Sequence, residues 1–215
     1  MFQLRNFRMR SSLAFVGLVW VGLSSLQAQS RGLLREVYED IGGASVRDLT
    51  SHTSFPSSPT SESIIPTFET PTDVDEDYGQ RVSGYVLPPQ TGNYVFWIAS
   101  DDGGSLFLST DESPAKKVEI ASVPGWTTSR LWGKYPVQKS KPISLVSGQR
   151  YYVEALMKER GGGDNLAVRW QLPNGRIEAP IPNTRLQPIA LGVPDIVSQP
   201  ANATVTEGKD AAFSV

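Results

Sequence analysis

Six consecutive residues, Tyr94-Val95-Phe96-Trp97-Ile98-Ala99, are apolar on both faces that an extended chain presents. Turn residues close them off on either side, Thr91-Gly92-Asn93 before and Asp101-Asp102-Gly103-Gly104 after. A strand without a polar face must be covered on both sides, so it belongs to the interior of a layered β-structure and not to an edge. Shorter segments of the same kind surround it. Gly32 to Asp40 reads as an opening strand, and Ser45 is placed to cap a short helix through Leu49. Arg81 to Leu87, Asn93 to Ser100, Ser105 to Ser109, Lys117 to Ala121 and Lys141 to Leu145 read as strands separated by turn residues. Between Ser54 and Pro71 the text is rich in Ser, Thr and Pro, with Phe55, Ile64, Ile65 and Phe68 interspersed, which suggests an ordered loop held on the surface.

Further on, Arg150 to Lys158 sets Tyr151, Val153, Ala155 and Met157 on one face. It is expected to pair with Leu166 to Leu172 through the loop Glu159-Arg160-Gly161-Gly162-Gly163-Asp164-Asn165. Some nine short strands without a long helical period indicate an all-β protein, an antiparallel β-sandwich in preference to a closed barrel, with long loops and little helix. The 19 glycines and 16 prolines suit so many turns.

The chain opens with Arg5, Arg8 and Arg10, continues with an apolar run from Leu13 to Leu23, and passes into small residues around Ala28 and Ser30. That order predicts a secretory signal over residues 1–30, cleaved near 28–30, and the apolar run is too short to span a bilayer. Its removal leaves 17 basic against 22 acidic residues. A mildly acidic chain without basic clusters has no footprint for nucleic acid, and the mature chain is not expected to enter membranes. Cysteine is absent, which excludes disulfides, thiolate metal sites and a cysteine nucleophile. Past Pro194, Ile196-Val197-Ser198-Gln199-Pro200 and Val205-Thr206-Glu207-Gly208 look like the first strands of an immunoglobulin-like domain. Such a domain needs about 100 residues, so residues 190–215 are expected to be a linker and its truncated beginning, with further domains beyond Val215.

The chemistry centres on Asp101-Asp102. Adjacent carboxylates repel unless they are solvated or share a cation, and calcium takes six to eight oxygen ligands. Taken alone, Asp101-Asp102-Gly103-Gly104 is also the text of an exposed acidic turn. The loop from Gly161 to Asn165 adds side-chain oxygens on Asp164 and Asn165, and three glycines that let the backbone bend and present carbonyls. Asp73-Val74-Asp75-Glu76-Asp77 spaces its acids like the start of a helix-loop-helix calcium loop. That motif needs Gly at its sixth position and Glu at its twelfth, where this chain has Tyr78 and Gly84. Trp126, Trp132 and Tyr135 either offer apolar faces for sugar rings or pin a long connection onto the sandwich. His52, the one histidine, sits in a Ser/Thr/Pro loop without a triad pattern.

In order along the chain, Gly84-Tyr85-Val86, Thr91-Gly92-Asn93-Tyr94-Val95-Phe96, Ser100-Asp101-Asp102-Gly103, Leu145 to Tyr152 and Gly162 to Trp170 resemble the PA-fourteen domain of anthrax protective antigen, yeast flocculin and epithelial adhesins. The resemblance covers about residues 31–189 and implies a jelly-roll-like β-sandwich. In the adhesins of that family two acids joined by a cis peptide, and an Asn on a later loop, hold a calcium ion that coordinates sugar hydroxyls directly. By position the acids fall on Asp101 and Asp102 and the Asn on Asn165. The backbone carbonyl of Ala167, or Asp164, would complete the ion's ligands. The expectation is a non-enzymatic, calcium-dependent carbohydrate-binding module of a secreted or cell-surface multidomain protein, with a glycan or polysaccharide as partner. A structural or protein-interaction spacer, and an accessory domain of a larger glycan-active enzyme, are the alternatives.

Overall fold

The computed structural model describes residues 31–189. The expected leader and the immunoglobulin-like start lie outside the described residues. In chain order the elements are β1 (Leu33–Tyr38), α1 (Val46–Thr50), β2 (Ser61–Ile65), β3 (Tyr78–Val86), β4 (Gly92–Asp101), β5 (Gly103–Leu108), β6 (Val118–Val123), β7 (Ile143–Leu145), β8 (Tyr151–Glu159), β9 (Asn165–Gln171), β10 (Ile177–Glu178) and β11 (Leu186–Pro188). One sheet runs β2-β1-β3-β8-β5-β6, with β11 also paired to β3; the other runs β10-β9-β4-β7. Every pairing is antiparallel. The fold is the expected all-β sandwich.

Between the sheets the inward residues of both layers interdigitate: Val82, Leu106, Val153, Ala155 and Met157 from one, Phe96, Ile98, Val168 and Trp170 from the other. Trp170 lies against Tyr94 and Phe96, with ring centroids at 4.9 and 5.7 Å. Its indole N–H donates to Glu178 Oε2 at 2.8 Å, so its one polar atom is satisfied inside the core.

Three expectations change. The Ser54 to Pro71 stretch contains a strand, β2, which pairs with β1 from Leu33↔Ile65 to Val37↔Ser61. Four of its five residues are exposed, so it joins the edge by backbone bonds and leaves almost no apolar alternation to read. Second, β8 and β9 do not form a hairpin: β8 lies between β3 and β5, whereas β9 pairs with β4. All nine residues of β8 are buried, as befits the centre of a large sheet. Third, the turn at Asp102 joins β4 in one sheet to β5 in the other, so it is no hairpin either. Both loops that carry candidate ligands are therefore crossings between the sheets.

Helix α1 supports the first of these crossings. Ser45 caps it in a reciprocal box: its hydroxyl accepts from the Asp48 amide at 3.3 Å and Asp48 Oδ2 accepts from the Ser45 amide at 2.9 Å. Just ahead of the cap, Ala44 O accepts from the Gly103 amide at 3.2 Å. A Cβ on Gly103 would come within 2.8 Å of that carbonyl, which is why the residue after the acid pair is glycine. Ser45→Ala is expected to cost about 1 kcal/mol of folding stability. Urea denaturation measures this, and a midpoint equal to that of the unmodified chain would count against the cap.

Candidate functional site

Strand alternation and ladder register assemble the site. Phe96, Ile98 and Ser100 of β4 turn inward, leaving Trp97, Ala99 and Asp101 for the outer face. On β9, Leu166, Val168 and Trp170 turn inward and Asn165, Ala167 and Arg169 outward. Asp101 stands opposite Asn165 in the ladder. The Asp101-Asp102 peptide is cis, as the resemblance implied. Asp102 begins the crossing to β5, and its Oδ2 accepts from the Arg160 amide at 3.2 Å.

A residue that the sequence reading passed over joins them. Glu159 ends β8, and oxygens of Asp101, Asp102 and Glu159 lie within 4.8 Å of one another. Glu159 is fully buried, with neither carboxylate oxygen bonded to a donor. Asn165 is also buried. Its Nδ2 donates to Thr127 O at 2.8 Å, whereas its Oδ1 has no partner. With the amide nitrogen tied, the carbonyl oxygen remains as the free donor atom of the side chain.

Asp101 and Glu159 are both held above the ordinary carboxylate range. Burial, and then the charge of Asp102, push the Asp101 carboxyl up to about 6, with Lys134 opposing. Burial, then Asp102, push Glu159 up to about 7. The Gly161 amide draws it back somewhat without reaching hydrogen-bonding geometry. A divalent cation would reverse both shifts. All the donors are oxygens, which suits a hard ion such as calcium.

The two weaker candidate ligands are placed differently. Leu166 O accepts from the Thr70 amide and Val168 O from the Ile181 amide, both on the far side of β9. Alternation therefore turns the Ala167 peptide toward Ala99 in the ladder, where its carbonyl is engaged. Asp164 directs Oδ2 to the amides of Val74 and Asp75, at 2.5 and 3.2 Å, and its Oδ1 is buried without a partner. The acidic Asp73–Asp77 stretch is thus a loop packed against the candidate site by Asp164, not a separate calcium loop.

Residues 124–142, the long connection between β6 and β7, run along the edge of β4, where Ser100 O accepts from the Thr127 amide and Phe96 O from the Ser140 amide, and reach over the outer face of the second sheet at Arg130 and Trp132. Arg130 reaches across to Glu69 with two bonds of 2.7 and 2.6 Å. Arg169 is stacked between Trp97 and Trp132, its guanidinium 4.5 and 5.0 Å from the two ring centroids. This cover, and not a third sheet, makes both faces of β4 apolar. Trp132 and Tyr135 follow the pinning reading, since both are partly buried against the body. Trp126 does not. The residue is 50% exposed, with Lys134 Nζ 3.2 Å from its ring centroid, and it directly precedes the Thr127 that holds Asn165.

The PA14 domain, the PA-fourteen family of the sequence reading, matches residues 66–184, more than half of the chain. The chain belongs to the PA14 domain family. Its first, second and last strands fall outside the matched stretch yet pair into the same sheet. Among curated proteins it is 34% identical over 149 residues, 66% of this chain, to N-acetyl-beta-glucosaminyl-glycoprotein 4-beta-N-acetylgalactosaminyltransferase 1 of Mus musculus. It is 30% identical over 177 residues, 77% of this chain, to fibrocystin of Canis lupus familiaris. The chain spans 14% and 4% of those two relatives. Among solved structures, the PA14 sugar-binding domain from an RTX adhesin superposes with a TM-score of 0.54 at 14% identity, over 73% of this chain and 98% of that one, and so shares the fold.

Proposed function

We propose that this PA14 domain is a carbohydrate-binding module that engages glycans through a calcium ion held by Asp101, Asp102 and Asn165. The observation that carries the reading is the Asn165 side chain, whose nitrogen is fastened to Thr127 while its buried oxygen is left free on the residue cross-strand from Asp101. Bound calcium supplies a hard Lewis-acid centre with coordination positions left over for vicinal sugar hydroxyls. The chain's own part is to hold these side-chain oxygens at the joined ends of two sheets and to keep the Asn165 amide in one orientation. Trp126, exposed one residue from Thr127, offers an apolar face for the ring of a sugar at the rim. The structural relative described as a sugar-binding domain supports the ligand class.

The role proposed is binding, without catalysis, in a secreted or cell-surface protein. The basic, apolar and small order of residues 1–30 and the adhesin relative support that location. The likeness to a glycosyltransferase over a small part of its length favours one further reading, an accessory glycan-binding domain within a larger enzyme. Calorimetric titration of the purified protein with calcium, followed by a glycan array with and without EDTA, tests the proposal. Saturable calcium binding and glycan signals that EDTA abolishes are the expected results. Absence of calcium binding at about millimolar concentration, the weak end of protein calcium sites, would sink it.

A further inference from the structure

Along β8 the residues that face the other sheet are Tyr151, Val153, Ala155 and Met157, all part of the core between the sheets. The next position on that face is Glu159. A glutamate continuing an apolar inward row is costly to bury without a salt bridge or a hydrogen-bond donor, and this one makes neither among the described residues. The neighbouring Lys158 attracts it without pairing with it: Lys158 Nζ donates to the Glu159 backbone carbonyl and makes no bond to the carboxylate. Oxygens of Asp101 and Asp102 lie within 4.8 Å of it, so its own charge adds repulsion to burial. Glu159 also belongs to the first sheet, through pairing with Tyr78, whereas Asp101 and Asn165 close the second sheet.

We infer that Glu159 is a third carboxylate for the calcium ion, and that through it the ion clasps the two sheets together at this end of the sandwich. The inference rests on the calcium reading above and assigns its consequence for the fold. Asp101, Asp102 and Asn165 span one sheet and the crossing from it; Glu159 alone brings in the larger sheet. Three carboxylates outweigh the two charges of the ion, which suits an ion that stays resident whether or not a sugar is present. Glu159 is thus a positioning residue for sugar binding and a ligand of the metal.

Glu159→Gln separates this role from a merely structural one because it removes a buried charge while keeping the size of the side chain. Without calcium the variant is expected to melt at the same temperature as the unmodified protein or higher, since the uncompensated charge is gone. Its calcium dissociation constant is expected to rise about tenfold or more, and its gain in melting temperature on calcium addition to fall to less than about half, in line with the loss of one charged ligand. Glycan binding is expected to return at saturating calcium. Terbium luminescence lifetimes in H2O and D2O provide an independent count, with about one more inner-sphere water expected in Glu159→Ala than in the unmodified protein. Unchanged calcium affinity and thermal gain in Glu159→Gln, or an unchanged water count, overturns the inference while leaving the proposed function standing. Failure of the unmodified protein to bind calcium removes the proposed function and this inference with it.

Discussion

Asp101→Asn is expected to abolish calcium-dependent glycan binding while leaving the sandwich folded. The substitution keeps the shape of the side chain and removes one negative charge from a group whose oxygens lie within 4.8 Å of those of Asp102 and Glu159. Calcium sites are graded chiefly by how many charged oxygens they supply and how rigidly, and the loss of one from a cluster of three should weaken the ion by roughly 100-fold, about 3 kcal/mol. Asn165→Ala removes the unpartnered side-chain oxygen of the residue cross-strand from Asp101 and is expected to act in the same direction. Without calcium, Asp101→Asn should be no less stable than the unmodified chain, because Asp101 is held up to about 6 by burial and by Asp102 and gains nothing from being charged there. Calorimetry gives the ion affinity, and a glycan array at a calcium concentration that just saturates the unmodified protein gives the sugar signal. A variant that retains calcium-dependent glycan signal at unmodified strength contradicts the assignment of Asp101.

Much of this site was legible in the residues because its parts lie at strand ends, where the pattern breaks visibly. Asp101-Asp102-Gly103-Gly104 interrupts an apolar run, and Gly161 to Asn165 interrupts another, so both loops stood out. Their relation did not. Alternation fixes which face a side chain takes but not which sheet a strand joins, and the text of β8 and β9 fits a hairpin as well as it fits two strands in opposite layers. The sheets alone decide that the two loops are crossings at one end. Glu159 is hidden for a related reason: the glycine-rich text that follows assigns it to the loop, whereas the strand continues one residue further and keeps it on the inward face. Extending the odd-numbered row of Tyr151, Val153, Ala155 and Met157 by one step puts a carboxylate on the inward face at the end of the sandwich.

The outer cover was half legible. Trp97 and Ala99 demanded a covering layer, and Trp132 and Tyr135 were candidates to supply it. The decisive contacts, Arg130 to Glu69 and Arg169 between two tryptophans, join positions 61 and 37 residues or more apart with no local signature. Edge strand β2 was missed for a different cause. Ser61-Glu62-Ser63 gains its order from hydrogen bonds to β1, and backbone pairing leaves no trace in side-chain chemistry.

In the absence of calcium, the domain is expected to lose stability as pH rises toward neutrality, the reverse of a fold held by ordinary carboxylate ion pairs. Glu159 is raised from 4.5 to about 7 and Asp101 from 3.8 to about 6, each first by burial and then by Asp102. The folded chain therefore keeps protons that the unfolded chain has already released. The resulting contribution to folding is present in full below about pH 4 and is lost as pH climbs through about 6 and about 7. For the fully buried Glu159 the loss is roughly 2–4 kcal/mol, a large part of the stability of a domain this size. Asp48 and Asp111 are lowered by hydrogen bonds from Ser45 and Lys116, so their contribution disappears only in more acid solution and does not overlap this window. Calcium acts in the opposite sense. It needs the deprotonated ligands, so its affinity rises as pH climbs through about 6 and about 7, and the ion restores at neutral pH what the free carboxylates remove. Urea denaturation between about pH 5 and about pH 7.5, in EGTA and in saturating calcium, measures the difference between the two conditions at each pH and cancels every group remote from the site. That difference should widen with pH. A difference that stays constant or shrinks would mean that these carboxylates do not meet the ion.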